Sequence, residues 1–248
     1  MKKVILITGG SQGIGASTAR LAAKNGYTVV INYHQNHTAA TELVREIEMD
    51  GGEAIAFQAD VSNEKEIEQL FLNIDSKVGN VTALVNNAAI IDSQMRFIDM
   101  TAARIQKTFA TNVIGSFICA REAIKRMSTR NNGTGGSIVN ISSIAARFGA
   151  PFEYIDYAAS KGAIDAMTIG LAKEVAEENI RVNAVRPGLI DTDIHKKAGD
   201  PGRVERLQIN LPLKRAGKPE EVATTILWLL SDEASYVSGA IVDVTGGR

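Results

Sequence analysis

A tyrosine and a lysine four positions apart, Tyr157 and Lys161, are the side chains of this sequence that most directly suggest chemistry. The small residues between them favour a helix, on which positions i and i+4 lie on one face, about 6 Å apart along the axis. A phenol can exchange a proton with a reacting oxygen, and a neighbouring ammonium changes how readily it does so. The same spacing also occurs on solvated helix faces, so its meaning depends on the elements that surround it.

The chain begins with a pattern that is typical of a dinucleotide-binding loop. A short apolar run from Val4 to Ile7 predicts a buried parallel strand, and residues 16–25 predict a helix. Between them lie three glycines, Gly9, Gly13 and Gly15, which would permit a tight turn and a close approach of the backbone to a ligand. The helix amino terminus behind this loop offers N–H groups and a partial positive charge to a pyrophosphate.

Strand patterns alternate with helix patterns along the chain, and no repeat or linker-like segment interrupts them before residue 190. This order predicts an α/β fold of Rossmann type: a doubly wound, seven-stranded parallel sheet with helices on both faces, in a single domain over residues 1–248. Loops that follow the carboxyl ends of parallel strands hold the ligand in such folds. The irregular segment at about 189–218 is therefore expected to form a lid over the substrate.

The composition excludes several classes of function. The formal net charge is −1, with charges spread along 248 residues, so no basic footprint for nucleic acid is expected. The amino-terminal apolar run stops at Thr8, too early for a signal peptide or a membrane span. The single cysteine, Cys119, cannot form an internal disulfide and is consistent with a reducing compartment. We therefore expect a soluble, cytoplasmic protein with no nucleic-acid partner, no membrane partner and no metal site.

The end of the second predicted strand bears on which dinucleotide the loop would bind. Asn32, Tyr33 and His34 should face the adenosine ribose, where an acidic residue would bond the 2′-hydroxyl of NAD and repel the 2′-phosphate of NADP. The sequence has neither an acidic residue nor an arginine at this corner. Neutral polar groups and the titratable His34 favour NADP, and NAD is the alternative.

Further polar residues stand where the predicted elements would bring them to the same edge of the sheet. Asn86 and Asn87 follow the fourth strand, and Asn112 lies midway along a long predicted helix at 101–127, where asparagine is unfavourable without a reason. Ser142 and Ser143 end the fifth strand. Because adjacent strand residues point to opposite faces, only one of these two hydroxyls should reach the cleft.

In this order the motifs resemble those of the short-chain dehydrogenase/reductase family, and the resemblance covers essentially the whole chain. It rests on Thr8-Gly9-x-x-x-Gly13-x-Gly15, Asn86-Asn87-Ala88-Ala89, Asn112, the Asn-Ile-Ser-Ser run that ends at Ser143, Tyr157-x-x-x-Lys161, and Pro187-Gly188. The sequence departs from the family pattern at Ala89, where the family usually has glycine. It also departs in the gap between Ser143 and Tyr157, which is one residue longer than expected.

The resemblance implies an NAD(P)-dependent oxidoreductase that interconverts a secondary alcohol and a carbonyl. Tyr157 would act as acid or base, Lys161 would lower its pKa and hold the nicotinamide ribose, and Asn112 would help to hold a proton-relaying water. Ser143, preferred to Ser142, would hydrogen-bond the substrate oxygen. A shift of about three units in the phenol pKa needs about 4 kcal/mol, which an ammonium about 4 Å away supplies only in a site sheltered from water.

The resemblance also implies a set of cofactor-binding residues. The glycine loop would hold the pyrophosphate, Asp60 and Val61 would lie beside the adenine, and Asn87 would lie near the adenosine ribose. The loop after the sixth strand would surround the nicotinamide. The residues expected to contact the cofactor are Gly9, Ser11, Gln12, Gly13, Ile14, Gly15, Asn32, Tyr33, His34, Asp60, Val61, Asn87, Ala88, Tyr157, Lys161, Pro187, Gly188, Ile190 and Thr192.

The sequence leaves the substrate open. One hypothesis is a dehydrogenase of a small sugar or polyol, similar to bacterial glucose-1-dehydrogenase-like members, and the alternative is a 3-oxoacyl-[acyl-carrier-protein] reductase. Glu177 and Glu178, which end the predicted helix of Tyr157, would repel an acidic carrier protein and so argue against the alternative. A non-catalytic dinucleotide-sensing or scaffolding protein is a third, less favoured hypothesis. The resemblance implies a homotetramer that packs the helices at 101–127 and 157–178 together.

Overall fold

The computed structural model describes residues 3–248, apart from the side chains of His195 and Lys197. Seven strands form one sheet in the order β3-β2-β1-β4-β5-β6-β7, and every neighbouring pair is parallel. The predicted doubly wound parallel sheet is therefore confirmed. The strands are β1 (Lys3–Ile7), β2 (Tyr27–Tyr33), β3 (Glu53–Gln58), β4 (Ala83–Asn86), β5 (Gly136–Ile141), β6 (Ile180–Pro187) and β7 (Ile241–Val244).

Helices cover both faces of the sheet. They are α1 (Gly13–Lys24), α2 (His37–Met49), α3 (Glu64–Lys77), α4 (Ala102–Phe109), α5 (Ser116–Met127), α6 (Ala145–Phe148), α7 (Ile155–Glu174), α8 (Ile194–Lys197), α9 (Arg203–Gln208) and α10 (Pro219–Leu230). One apolar core packs α1, α2 and α10 against the sheet, and a second core on the other face packs α3, α5 and α7. None of the described helices is long and apolar enough to cross a membrane.

The register of the sheet aligns the carboxyl ends of its central strands. Ile7 of β1 pairs with Ile31 of β2 and with Val85 of β4, and Ile141 of β5 pairs with Val185 of β6. β1, β2 and β4 are buried on both faces, which explains why their sequences are largely apolar. The polar residues that follow the strands consequently lie along one edge of the sheet.

The long helix predicted over 101–127 is interrupted at its centre. A π-helical turn at Ala110–Gly115 separates α4 from α5, and this wider turn contains the buried Asn112. Gly115 lies against the backbone that follows β3, where an added Cβ would stand 2.4 Å from the carbonyl oxygen of Val61. Such turns are uncommon and often occur at functional sites.

The lid segment at 189–218 contains two short helices, α8 and α9, where the sequence predicted irregular structure. Its two ends meet at an isolated parallel bridge between Ile190 and Gly217. The N–H of Asp191 donates to the carbonyl of Gly217, and the N–H of Gly217 donates to the carbonyl of Leu189, both at 2.9 Å. The bridge therefore holds together the two ends of the lid, where it follows β6 and where it leads into α10.

The close approach at Gly115 can be tested by thermal unfolding. We expect Gly115→Ala to destabilise the protein by about 1–3 kcal/mol, because the new methyl group meets backbone atoms that cannot rotate away. Gly170→Ala in α7 is the matched control, since an added Cβ there meets no atom within 4 Å. It should raise the stability by about 0.5–1 kcal/mol through helix propensity. Equal stabilities of the two variants would contradict the tight packing of Gly115 on Val61.

Candidate active site

A cavity of about 860 Å³ lies at the carboxyl edge of the sheet, a size that suits a cofactor together with a small ligand. Two of the predicted site residues, Gly15 and Asn112, lie outside its lining. The predicted residues that line it are Gly9, Ser11, Gln12, Gly13, Ile14, Asn32, Tyr33, His34, Asp60, Val61, Asn87, Ala88, Ser143, Tyr157, Lys161, Pro187, Gly188, Ile190 and Thr192. The topology therefore brings most of the predicted set to one place.

Tyr157 and Lys161 stand in the first two turns of α7. The Nζ of Lys161 lies 5.6 Å from the centroid of the Tyr157 ring. Lys161 is only 3% exposed, and its Nζ donates a 2.7 Å hydrogen bond to the carbonyl oxygen of Ile141 at the end of β5. The end of this strand thus fixes the ammonium beside the phenol.

The two serines after β5 have different surroundings. Ser143 lies near enough to Tyr157 for its hydroxyl to lower the pKa of the phenol, and its Oγ accepts the N–H of Ala145 at 3.1 Å. Ser142 is buried, and its Oγ donates to the backbone carbonyl of Lys161 at 3.2 Å. The structure therefore brings Ser143 to the phenol and uses Ser142 to join β5 to α7.

The segment between Ser143 and Tyr157, one residue longer than expected, contains unusual backbone. Ala150 and Phe152 have φ values of 45° and 63°, in the left-handed region that non-glycine residues rarely adopt. The side chain of Ala150 is buried, while that of Phe152 is exposed. This strained loop leads directly into α7.

The pKa values of the pair differ from the expectation that Lys161 lowers the pKa of the phenol. Burial raises the pKa of Tyr157 to about 12, against the lowering effect of the Ser143 hydroxyl. Burial also lowers the pKa of Lys161 to about 8, against the raising effect of Asp165. Because a low-dielectric site favours the neutral form of both groups, it is the ammonium whose pKa moves towards neutrality.

The glycine loop is held by the segment after β4. Gly9 has φ +59°, and a Cβ there would stand 2.9 Å from the Cα of Ala88. The Nδ2 of Asn87 donates to the carbonyls of Thr8 and Gly9, both at 3.0 Å. A Cβ on Gly15 would stand 2.7 Å from this Nδ2. Asn87 therefore braces the loop, and Gly15 allows the close packing behind it instead of lining the cavity.

The described residues fit a dinucleotide at this end of the cavity. Gly9 and Gly13 bring bare backbone to the surface next to the amino terminus of α1, whose first turn contains no acidic residue. Such a terminus attracts a pyrophosphate through its N–H groups and its dipole. On the opposite wall, Gly188 packs so closely on the backbone that a Cβ would stand 2.8 Å from the Cα of Thr245.

The corner after β2 presents fewer groups than the sequence suggested. Asn32 is 1% exposed, and its amide joins the loop backbone to β3 by accepting from the N–H of Gly9 and donating to the carbonyl of Ala59. The hydroxyl of Tyr33 hydrogen-bonds Nδ1 of His37 at 2.7 Å. His34 is exposed, with its Nε2 3.6 Å from Oδ2 of Asp60. His34 is therefore an exposed polar side chain of this corner that lines the cavity, together with Gln35 and Asn36.

Asn112 lies behind the cavity wall. Its Oδ1 accepts the N–H of Ile90 at 2.8 Å, and its Nδ2 donates to the carbonyl of Ile90 and to Oγ of Ser160. The side chain thus ties the segment after β4 to α7. The water contact expected of Asn112 stays a prediction.

Three cavity residues were missed by the motif analysis. Arg203 of α9 forms a forked ion pair with Glu153, at 3.0 and 2.6 Å, and its guanidinium lies 5.2 Å from the ring centroid of Tyr154. All three residues line the cavity, so they fasten the lid to the loop before α7. Tyr154 belongs to none of the sequence motifs, and a charge pair 50 residues apart leaves no local signal.

A phenol, a hydroxyl and an ammonium thus share a cavity with a dinucleotide cradle, as an enzyme of carbonyl and alcohol chemistry requires. A family model described as enoyl-(acyl carrier protein) reductase matches residues 9–248. An uncharacterized oxidoreductase of Escherichia coli (strain K12), YgfF, is 53% identical over 245 residues, which are 99% of this chain and 99% of the relative.

Two further relatives have named activities. Glucose 1-dehydrogenase 2 of Bacillus subtilis (strain 168) is 36% identical over 99% of this chain and 94% of its own. A 3-oxoacyl-[acyl-carrier-protein] reductase of a Synechocystis species is 39% identical over 99% of this chain and 96% of its own. With these matches along its full length, the chain belongs to the short-chain dehydrogenase/reductase family and is an NAD(P)-dependent oxidoreductase.

Proposed function

We propose that this enzyme interconverts a secondary alcohol and a carbonyl in a small sugar or polyol, with Tyr157 as the proton donor or acceptor. The proposal rests on one observation: Tyr157 contacts Ser143 and Lys161 at a cavity that also contains the glycine cradle. A bound nicotinamide cofactor would supply or accept the hydride. The protein would bind the reactants, exclude water and move the proton.

In the direction of reduction, the proton passes from the hydroxyl of Tyr157 to the carbonyl oxygen of the substrate. A pKa of about 12 keeps the phenol protonated at neutral pH, as a proton donor requires. The hydroxyl of Ser143 donates to the same oxygen and stabilises its developing charge. Lys161, with a pKa of about 8, is the member of the pair that can release a proton near neutrality and restore the phenol.

The two acids that were expected to repel a carrier protein lie far from the cleft. Glu177 and Glu178 follow α7, which has 20 residues and is about 30 Å long, so they lie far from Tyr157 at its first turn. Arg130 also pairs with both acids, at 3.1 and 3.5 Å. These two residues therefore have no bearing on docking beside the cleft.

The mouth of the cavity offers a better argument. An acidic carrier protein is attracted by cations that have no acid of their own beside them. Around this mouth and on the lid, four cations are each paired with a carboxylate within 3.1 Å: Arg147 with Asp243, Lys196 with Asp193, Arg203 with Glu153, and Arg206 with Asp200. The paired cations of the lid favour a small neutral substrate. Lys107 and Arg248, which line the cavity without a carboxylate partner among the described residues, are the positions at which an acidic substrate would bind.

NADP is the cofactor that the corner after β2 favours. His34 is exposed and lines the cavity at the corner where an acid would select NAD. Its imidazole can pair with a 2′-phosphate when it is protonated. NAD is the alternative, since Asp60 lies 3.6 Å from His34 and bears the opposite charge.

We further propose that the protein is a cytoplasmic homotetramer, as its family resemblance implies. The helices expected to form subunit contacts expose apolar side chains, including Ile114 of the π-helical turn, Phe117 of α5 and Ile169 of α7. Cys119 is fully buried, and burial raises the pKa of its thiol to about 12. A thiol in that state is inert and is compatible with a reducing compartment.

The proton-transfer role can be tested with Tyr157→Phe. We expect kcat/KM for ketone reduction to fall about 10²–10⁴-fold, because the ring is retained while the transferable proton is lost. Binding of NADPH, followed by the fluorescence of the only tryptophan, Trp228, should stay unchanged. Tyr236→Phe is the matched control at a fully exposed tyrosine and should leave both quantities unchanged. Full activity of Tyr157→Phe would refute the mechanism.

The substrate class can be tested by comparing dihydroxyacetone, erythrulose and fructose with acetoacetyl thioesters of coenzyme A and of acyl carrier protein. We expect reduction of the hydroxylated ketones and poor use of the carrier-bound thioester, because Lys196 and Arg203 of the lid are paired with carboxylates. Initial rates of NADPH consumption give the comparison. Robust turnover of the thioesters with none of the sugars would favour the carrier-protein reductase instead.

The cofactor preference can be tested with His34→Asp. We expect the ratio of NADPH to NADH affinity to fall about tenfold or more, because a carboxylate repels a 2′-phosphate and bonds a 2′-hydroxyl. Gln69→Asp on the exposed face of α3 adds the same charge away from the cavity and should leave the ratio unchanged. Equal ratios in the wild type and His34→Asp would show that this corner does not discriminate.

A further inference from the structure

A buried ion pair lies immediately before the catalytic tyrosine. Nε and Nη2 of Arg104 on α4 donate to Oδ2 and Oδ1 of Asp156 at 2.8 and 3.2 Å. The side chains are 7% and 3% exposed, and Oγ1 of Thr108 donates to Oδ2 at 3.4 Å. Desolvating such a pair costs about as much as its attraction returns, so stability alone does not account for it.

The pair connects the two segments that flank the reacting end of the cavity. Nη1 of Arg104 donates a 2.6 Å hydrogen bond to the carbonyl of Ser93, in the segment after β4 that also supplies Ile91 to the cavity lining. On its other side, Asp156 directly precedes Tyr157 in the first turn of α7, and the backbone N–H of Tyr157 helps to lower the pKa of its carboxyl group. One guanidinium therefore spans the distance from the segment after β4 to the first turn of α7.

The first turn of α7 depends on this carboxylate. Tyr154 occupies the N-cap position, and its side chain makes no capping hydrogen bond in the part of the chain that the structure describes. Asp156 is the acidic residue of the first turn, where a carboxylate satisfies exposed N–H groups and the helix dipole. Burial alone would raise the pKa of Asp156, but Arg104 and the N–H of Tyr157 lower it, so the carboxylate stays charged.

We propose that Arg104 and Asp156 are positioning residues for proton transfer, which hold the start of α7 so that the hydroxyl of Tyr157 meets the reacting oxygen. This inference rests on the proposed function, since it takes Tyr157 as the proton donor. Neither member of the pair lines the cavity, so both act through Tyr157. A misplacement of about 1 Å at a reacting group can cost about 10²-fold in rate, which gives a distant pair a large effect on kcat.

Replacing both charged residues with uncharged ones distinguishes a purely structural pair from a positioning pair, because stability can recover while kcat does not. Removing one partner leaves an unpaired buried charge and destabilises the protein, whereas replacing both with apolar residues of similar volume often restores stability. The double variant Arg104→Met/Asp156→Leu should therefore recover the Tm of the wild type within a few degrees. It cannot restore the carboxylate beside the N–H of Tyr157 or the bond to the carbonyl of Ser93.

The experiment compares Tm, kcat and KM for ketone reduction and the Kd for NADPH across a small set of variants. We expect Arg104→Met/Asp156→Leu to lower kcat about 10–100-fold while KM and Kd stay within about twofold. Asp156→Asn retains the shape and one acceptor, so it should show a smaller fall in kcat with the same constancy of KM. Arg126→Met is the matched control, because it breaks a forked, partly buried pair with Asp75 that lies away from the cavity. It should lower the Tm and leave kcat within about twofold.

The outcomes separate this inference from the proposed function. Recovery of both Tm and kcat in the double variant, or a kcat like that of the wild type in both Asp156 variants, would overturn the positioning role. A loss of kcat in Arg126→Met as large as in the double variant would overturn it as well. Tyr157→Phe is assayed alongside, and full activity of that variant would refute the proposed function and the inference with it.

Discussion

The buried ammonium of Lys161 is the constraint on which the site depends. A cation withdrawn from water must find a hydrogen-bond acceptor, and here the carbonyl of Ile141 at the end of β5 provides one. That bond requires the start of α7 to lie against the carboxyl end of β5. Ser142 adds a second contact there, because its Oγ donates to the backbone carbonyl of Lys161. The strand end that holds the ammonium leads directly to Ser143, which contacts Tyr157. One backbone junction therefore sets the geometry of all three groups.

At the cofactor end of the cavity, the glycine loop likewise packs closely on the backbone of a neighbouring segment, the one that follows β4. Gly9 touches Ala88, Asn87 binds the carbonyls of the glycine loop, and Asn32 joins that loop to β3. With these side-chain amides holding it, the glycine loop presents its backbone at Gly9 and Gly13 to the cavity. The result is a rigid cradle at one end and a sheltered proton-transfer group at the other, as hydride and proton exchange on one substrate requires.

The fold and most of the cavity lining could be predicted because they depend on local signals. Doubly buried strands give apolar runs, and parallel topology gathers the residues after them at one edge. Contacts between distant segments left no such signal: Gly115 meets Val61 where a continuous helix was expected, and Arg203 pairs with Glu153 across the lid. The sequence shows the charge of Lys161 but not the burial of the site, which raises the pKa of Tyr157 and lowers the pKa of Lys161.

The most direct test is the pH dependence of single-turnover ketone reduction in the wild type and in Lys161→Met. Reduction takes one proton from the pair, and the pair gives up its first proton with a pKa of about 8, that of Lys161. Once Lys161 is neutral, only the phenol proton remains, and with a pKa of about 12 it is a much weaker acid. The wild-type rate should therefore fall as the pH rises through about 8. In Lys161→Met that step should disappear, leaving a slower rate that stays level to pH 10, because the remaining phenol has a pKa near 12. An unchanged pH profile in Lys161→Met would contradict the role of the ammonium as the proton reserve of Tyr157.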